Sequence, residues 1–410
     1  MTSPALAPFR IRSFRFQWPS DLAMSWAMEM ETLILGWYIL TATGSVQQLV
    51  IFGALVWLGA ILSPLLGLAA DRLGARVMLC ASRAIYALLA ALLTGLTFAG
   101  ALAPWHVFAI TSIAGLLKPS DQALRNLLVA ETMQPGQLLG ALGLSRTTAD
   151  MAKVGGALAG AGGVALIGMA PAYAVVTAVY VVSFVLALGV APASHTAGKR
   201  AANVLADLQQ GFRYAWAKPE LLGPLLIAFL VNLLAFPFTI GLLPYVAREV
   251  YGVGQAELGH LAAAFAFGAL VGSVALGAGR VPLRAARVML CAAMLWFAAL
   301  LILGALRSYA IGLALIFSAG LVQSFCLIPL AAVILRGSSP EMRGRVLGMR
   351  ILGVWGLPLG TLAAGFATAH IGFAACITLF AGAGLVATAS IAWRWRAALW
   401  ERGAAANFHP

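Results

Sequence analysis

The heptapeptide ARVMLCA stands at residues 75–81 and recurs unchanged at residues 286–292, an offset of 211 residues (286 − 75). In both copies it opens an apolar run, so the third predicted span corresponds to the ninth. Pro135 with Gly143 similarly maps near Pro340 with Gly348, at an offset of 205 residues (340 − 135). Identity over seven residues at one offset indicates an internal duplication. The sequence therefore predicts two homologous halves in the same orientation.

The composition excludes a soluble globular protein. Hydrophobic residues make up 62% of the 410 residues and charged residues 10%, whereas soluble domains are about 45–50% apolar and about 25% charged. The net charge is +13. The basic residues lie between apolar runs and are not clustered on one face, which argues against a nucleic-acid binder. The four cysteines are dispersed with no CxxC pair, so neither a disulfide framework nor a metal site is expected.

Apolar runs long enough to cross a bilayer occur twelve times. We read the first run as a span and not as a cleaved signal, because it continues past Trp37 and contains Glu29 and Glu31. The predicted spans are 20–42, 48–70, 77–99, 104–130, 138–167, 171–191, 221–247, 257–279, 286–306, 309–335, 345–370 and 372–393. The fold class predicted is all-α integral membrane, with twelve transmembrane helices in two parallel six-helix repeats.

The longest segment between spans divides the chain into an N-terminal six-helix bundle (1–191), a cytoplasmic linker (192–220) and a C-terminal six-helix bundle (221–410). Within the linker, Leu208, Phe212 and Trp216 recur at four-residue spacing. This spacing is typical of an amphipathic helix on the membrane surface, and an ordinary solvated helix is an equal alternative. Parallel repeats of this kind are the architecture of transporters that rock around a central site.

Lysines and arginines fall mainly on one side when successive loops are assigned alternately to the two sides of the membrane. Eighteen lie on one side, Arg248 and Arg307 on the other, and six inside spans. Because cytoplasmic loops are enriched in Lys and Arg, both termini are predicted to be cytoplasmic.

The loop after the second predicted span reads GLAADRLGAR at residues 67–76. It resembles the signature loop of the major facilitator superfamily. The resemblance implies that this loop is a gate motif, latching the cytoplasmic side when the cavity opens outward. Its residues are Gly67, Asp71, Arg72, Gly74 and Arg76.

The second-half counterpart of this loop, residues 277–287, has no acid. Pro282 and Leu283 stand where Asp71 and Arg72 would map. Only the first latch is expected to be intact.

Shorter stretches at residues 36–45, 119–139 and 207–221 resemble a bacterial exporter branch that includes exporters of siderophores such as enterobactin and of drugs. The resemblance implies efflux across the bacterial inner (cytoplasmic) membrane. Residues 155–160 (GGALAG) resemble the superfamily's antiporter motif, except that Gly156 stands where the motif has proline. Such glycines are also typical of close helix packing in any member.

Five charged residues lie near the predicted membrane midplane, all in the first half: Glu29, Glu31, Lys118, Asp121 and Asp150. A charge at the bilayer centre costs at least about 2.5–3.5 kcal/mol on insertion scales, so each should be paired or face a wet cavity. Residues two apart point about 200° apart on a helix, so Glu29 and Glu31 cannot share a face. Glu29 falls on a polar stripe, and Glu31 is expected to point toward a neighbouring helix.

These five residues are the candidate proton-coupling set, with Glu29 as the main carrier and Asp121 and Lys118 setting its pKa. A desolvated carboxylate beside a cation is held between two protonation states, and an arriving substrate can change the balance. Lys118 also lies near the position where the resemblance places an arginine linked to proton transfer.

Two one-faced ladders of charge accompany this set. Lys118, Asp121 and Arg125 lie on the fourth span, and Arg146, Asp150 and Lys153 on the fifth. Arg125, Arg146 and Lys153 form a candidate intramembrane charge network. For the second ladder, a salt-bridge network that only fixes helix packing is an equal alternative.

The second half has Arg350 as its only charge well inside a span. Its prolines and aromatic residues predict bent helices and a partly apolar binding wall, with lipid-facing aromatics as the alternative. The candidate substrate-cavity residues are Asn232, Phe236, Gln323, Phe325 and Trp355.

The sequence thus predicts a secondary active transporter, a proton-coupled exporter of an amphipathic small molecule working by alternating access. It has no phosphate-binding P-loop motif, so a proton gradient is expected to drive it, with no cofactor. The expected partners are a small-molecule substrate and the lipid bilayer, with no nucleic acid, and the protein is expected to be a monomer. An uptake symporter or lipid flippase of the same fold is the alternative. A membrane-embedded lipid enzyme is remote, because it would need clustered acids or histidines.

Overall fold

The structure, a computed structural model, describes residues 8–60, 73–133, 135–191, 204–277, 284–339, 342, 346, 349–350 and 353–401. Within these residues the secondary structure is helical throughout. The helices are α1 (Arg12–Thr43), α2 (Val46–Leu55), α3 (Ala75–Phe98), α4 (Pro104–Thr132), α5 (Pro135–Ile167), α6 (Met169–Leu188), α7 (Val204–Trp216), α8 (Pro219–Leu234), α9 (Gln255–Gly277), α10 (Ala285–Ala305), α11 (Tyr309–Gly337), α12 (Gly356–Ile371) and α13 (Phe373–Arg394).

Most of the predicted spans match these helices to within three residues at each end, and the all-helical membrane fold class is confirmed. By length and apolar composition, eight helical stretches of the described residues could cross a membrane. Part of the second predicted span and part of the eleventh lie outside the described residues. The two copies of ARVMLCA lie at the first turns of α3 and α10, as the repeat predicts.

Helix α1 begins at Arg12, eight residues before its predicted start (20 − 12). The added turns carry polar and charged residues, so hydropathy alone does not detect them. Yet Ser13, Phe14 and Gln17 are buried, and Phe14 is fully so. Contacts within the fold therefore extend the helix beyond its apolar stretch.

The seventh predicted span is interrupted near its middle. Helix α8 ends at Leu234 and is followed by short helical segments at Pro237–Gly241, Leu243–Tyr245 and Val246–Val250. Pro237 has no backbone N–H and its ring crowds the preceding turn, which favours a break in the regular helix at this position. This agrees with the predicted bend in this span.

The chain divides into two compact units. Unit 1 comprises Met1–Lys199 together with Pro244–Ala263, and unit 2 comprises Arg200–Leu243 together with Ala264–Pro410. Residues from the second half of the sequence are therefore counted with unit 1. The domain boundaries inferred from the sequence remain a prediction.

The core of unit 1 is formed by α1, α3, α4 and α6. Its apolar centre contains Met24, Ile34, Ile39, Tyr173 and Tyr180, all nearly inaccessible. Helix α1 packs against α5 and α6, so polar residues on α1 meet polar residues on both. In unit 2, α10 packs against α11 and α13 around Trp296 and Phe297, both fully buried.

The linker contains the predicted helix, α7. Phe212 and Trp216 are exposed on it and their rings lie 5.2 Å apart, while the side chain of Leu208 lies outside the described residues. At its end, the Tyr214 hydroxyl accepts hydrogen bonds from Lys218 Nζ (2.9 Å) and from the Ser339 backbone N–H (3.1 Å). The bond from Lys218 lowers the pKa of Tyr214 to about 8, because it stabilises the phenolate.

Candidate functional site

Four buried charges join three helices of unit 1. The Arg83 Nη2 atom lies 2.7 Å from Asp21 Oδ1 and 3.5 Å from Asp121 Oδ1. Arg125 Nε lies 3.6 Å from Asp21 Oδ1, and its Nη2 contacts Asp121 Oδ2. The side chains of all four are at least nine-tenths buried. Two cations and two anions therefore compensate one another inside the unit.

Neutral groups complete this four-charge cluster. Arg83 Nη1 donates to Ser20 O (3.0 Å) and Ser183 Oγ (2.6 Å). Arg125 Nη1 donates to Ser25 Oγ (2.8 Å). Such bonds offset the desolvation of buried ions. The cluster therefore ties α1, α3, α4 and α6 together.

Arg83 is fully buried at the centre of this cluster but was not predicted as a site residue from the sequence. The available signal was its position, an arginine well inside an otherwise apolar span, which is itself unusual. Its partners could not be found from the sequence, because Asp21 and Asp121 lie on other helices.

Glu31 is held by two tyrosines of α6. Its Oε1 accepts a hydrogen bond from the Tyr173 hydroxyl, and its Oε2 accepts one of 2.6 Å from the Tyr180 hydroxyl. Tyr180 in turn stacks on Tyr86 of α3, with ring centroids 5.6 Å apart. Glu31 thus contacts a neighbouring helix, as its phase on α1 predicts.

A cavity of about 30 Å³ adjoins Glu31. This volume has room for about two water molecules. Polar groups line it from three helices: Glu31, Thr32, Tyr86, Thr111 and Lys118. The remaining lining is mainly apolar, so the carboxylate and the ammonium share a small polar pocket in an apolar surrounding.

Lys118 and Asp121, which share one ladder of charges with Arg125 in the sequence, have different partners in the structure. The Lys118 ammonium lies 5.1 Å from the centroid of the Trp57 ring, and both Glu29 and Glu31 act on its charge. Asp121 instead contacts Arg125 and Arg83. Lys118 therefore belongs with the glutamates, and Asp121 belongs to the four-charge cluster.

Glu29 lies where α1 packs closely against α5. A Cβ added at Gly156 would stand 2.9 Å from Glu29 Cβ. Glu29 is half-buried, and within the part of the chain that the structure describes its carboxylate makes no hydrogen bond or ion pair. Its carboxylate therefore has no fixed partner among the described residues.

The ladder on α5 is partly described. Asp150 is buried and its Oδ1 lies 3.4 Å from Lys153 Nζ, while the Lys153 side chain is 45% exposed. The side chain of Arg146 lies outside the described residues. One i,i+3 pair of this ladder is thus observed.

Of the gate motif, Gly67, Asp71 and Arg72 lie outside the described residues. Gly74 precedes α3 with φ +89°, a backbone conformation that favours glycine. Arg76, in the first turn of α3, donates from Nη2 to Leu188 O at the end of α6 (3.0 Å).

The candidate cavity residues of unit 2 have different environments. Gln323 Oε1 and Trp355 Nε1 are buried atoms without a hydrogen-bond partner among the described residues. Asn232 Nδ2 donates to Ala228 O in its own helix (2.8 Å), and Phe236 packs edge-on against Trp296 with centroids 4.9 Å apart. Phe325 is half-buried. Gln323 and Trp355 therefore retain unused polar groups, whereas Phe236 packs in the core.

Solved structures with the same fold are membrane transporters. The nucleoside transporter NupG superimposes with a TM-score of 0.71 at 12% identity, covering 93% of this chain and 99% of that chain. A D-xylose-proton symporter gives 0.70 at 11% (92% and 96%). A bacterial homolog of the human lysosomal transporter Spinster gives 0.71 at 14% (97% and 99%). At these identities the likeness shows the fold alone.

The helical fold and its long apolar helices are those of a multi-span membrane protein. The family model of the Major Facilitator Superfamily matches residues 22–354, and the chain belongs to that family. No curated protein sequence matches the chain.

Proposed function

We propose that this protein is a proton-coupled exporter of an amphipathic small molecule, of the siderophore or drug-like class, working by alternating access. The observation that carries the proposal is the polar pocket of unit 1. There, the Glu31 carboxylate and the Lys118 ammonium line one small cavity with room for water, and Glu29 also acts on the charge of Lys118. A proton can be taken up and released at such a place because the cavity lets water reach the Glu31 carboxylate, which otherwise lies in an apolar surrounding.

Glu29 is proposed as the main carrier because its carboxylate has no fixed partner in the described structure. Glu31, bound by two tyrosine hydroxyls, is proposed to set the electrostatic potential at the Lys118 ammonium. Asp121 and Asp150 were grouped with them by sequence. Their pairing with arginines and with Lys153 supports a role in positioning the helices around the pocket.

Export from a bacterial inner membrane, with both termini in the cytoplasm, is proposed from the sequence resemblances and the charge bias. An amphipathic substrate is supported by the unused polar atoms of Gln323 and Trp355 on mainly apolar helices of unit 2. Uptake by symport is the second candidate, because a D-xylose-proton symporter shares the fold.

The test uses everted membrane vesicles that contain the protein and respire, so that the lumen becomes acidic. Siderophores and lipophilic drugs are added one at a time while a fluorescent probe reports lumenal pH. For an exporter, substrate entry is exchanged for protons, so we expect the lumenal pH to rise. A symporter would carry protons in with the substrate, and the lumenal pH would fall.

Three variants make this assay specific for the pocket. Glu29→Gln is expected to abolish the pH response and Glu31→Gln to reduce it. Glu249→Gln should respond like wild type, because the Glu249 side chain is 44% exposed outside the pocket. A wild-type response from Glu29→Gln would overturn the assignment of the carrier.

A further inference from the structure

An open groove of about 340 Å³ lies between α3 and α6, away from the polar pocket. Apart from Arg76 and Cys80 its lining is apolar, with Val77, Ala81 and Ala84 on α3 and Phe184 and Leu188 on α6. The small side chains of Ala81 and Ala84 keep the groove open, because larger side chains at these positions would fill it. The groove lies where α3 begins and α6 ends, so it lies at one end of the two helices.

Residues that line this groove are exposed on the surface of unit 1. Val77 on α3 is 54% exposed and Leu188 on α6 is 48% exposed. Further exposed apolar residues continue from them along both helices, among them Leu88, Val181 and Val185. Both helices are long and apolar enough to cross a membrane, so these exposed faces meet lipid. An occupant of the groove therefore has an apolar chain.

Arg76 lies in the groove lining at its polar end. One of its five N–H donors is used by Leu188 O, and its Nε atom is buried without a hydrogen-bond partner among the described residues. Unused donors of a guanidinium near a helix end are suited to a phosphate. Basic pockets between spans bind anionic lipid headgroups in this way.

We propose that this groove binds one anionic phospholipid, with its phosphate on the Arg76 guanidinium and an acyl chain along Val77, Ala81 and Ala84. The described lining has no carboxylate that could pair with the ammonium of a zwitterionic lipid. Charge complementarity therefore selects the anionic class. This inference does not depend on the proposed transport activity.

The test is native mass spectrometry of the full-length protein released from detergent, with titrated lipid. Phosphatidylglycerol and phosphatidylcholine with the same acyl chains are compared for the first bound lipid. Wild type should bind phosphatidylglycerol more tightly, and Arg76→Gln should weaken that binding by roughly fivefold, as expected for one basic contact with an anionic headgroup. Arg76→Lys should retain part of the preference.

Two further variants test whether lipid binding depends on the groove or only on the positive charge of the protein. Ala81→Phe fills the groove at an exposed position and should weaken the binding of both lipids. Arg394→Gln removes an exposed arginine at the end of α13, outside the groove, and should leave binding unchanged. Equal losses for Arg76→Gln and Arg394→Gln, or displacement of the lipid by glycerol 3-phosphate, would overturn the proposal.

Discussion

At the scale of single residues, Arg83 shows how the interior of unit 1 tolerates ions. Its guanidinium is fully buried, and two carboxylates and two serine oxygens lie within 3.5 Å of its nitrogen atoms. Replacing a buried ion pair by apolar groups can be neutral, but removing one partner leaves the other charge uncompensated. The four-charge cluster should therefore be sensitive to any single neutralisation.

We predict that Arg83→Gln lowers the free energy of unfolding by about 3–5 kcal/mol, because Asp21 and Asp121 lose a shared counter-charge. Denaturant unfolding of the purified protein in detergent measures this loss. Adding Asp21→Asn in the same chain should restore part of it by rebalancing the charge. Additive losses in the double variant would show that the two residues are not coupled.

At the scale of helices, the approach of α1 to α5 depends on glycine. A Cβ added at Gly160 would lie 2.7 Å from the Met30 Cα, which is backbone and cannot rotate away. An added Cβ at Gly162, on the same helix, would meet nothing within 4 Å. The sequence feature that resembles the antiporter motif thus has a packing role in the structure, next to Glu29.

We predict that Gly160→Ala destabilises the protein by about 1–3 kcal/mol, since α1 and α5 must separate. Gly162→Ala should change stability by less than about 1 kcal/mol, in the stabilising direction expected from helix propensity. Thermal unfolding of both variants gives the comparison. Similar midpoints for the two would mean that α1 and α5 do not pack as closely as described.

At the scale of the whole molecule, the distribution of basic residues predicts the orientation in the membrane. A green fluorescent protein fused after residue 410 should fluoresce, because it folds in the cytoplasm. Alkaline phosphatase inserted after Arg307 should be active, because it requires the opposite side. The reverse pattern of the two reporters would show that the charge bias does not set the topology of this chain.

Much of the fold was predictable from local sequence. The ends of most helices lie within about three residues of the predicted spans, among them those of α3, α4, α6, α9 and α10. Length and hydropathy are enough to identify such helices, because a span must be long and apolar enough to cross the bilayer. The added turns of α1 were not predicted, because their polar residues are buried by contacts that hydropathy does not record.

The candidate site was predicted only in part. Helix phase placed Glu29 and Glu31 on different faces of α1, and it grouped Lys118 with Asp121. In the structure Lys118 contacts the Trp57 ring, while Asp121 binds Arg83 and Arg125. Residues three apart can share a face of one helix and still meet different neighbours, so spacing alone does not identify partners.

By itself the sequence determined that the chain spans a membrane many times, contains an internal repeat and places most of the charges inside its spans in the first half. These properties follow from hydropathy, length and identity, which are local or periodic along the chain. Only the tertiary structure decided that Tyr173 and Tyr180 hold Glu31 and that Arg83 joins Asp21 to Asp121. The physical reason is that partners on different helices are selected by how the helices pack, and packing depends on all the faces at once.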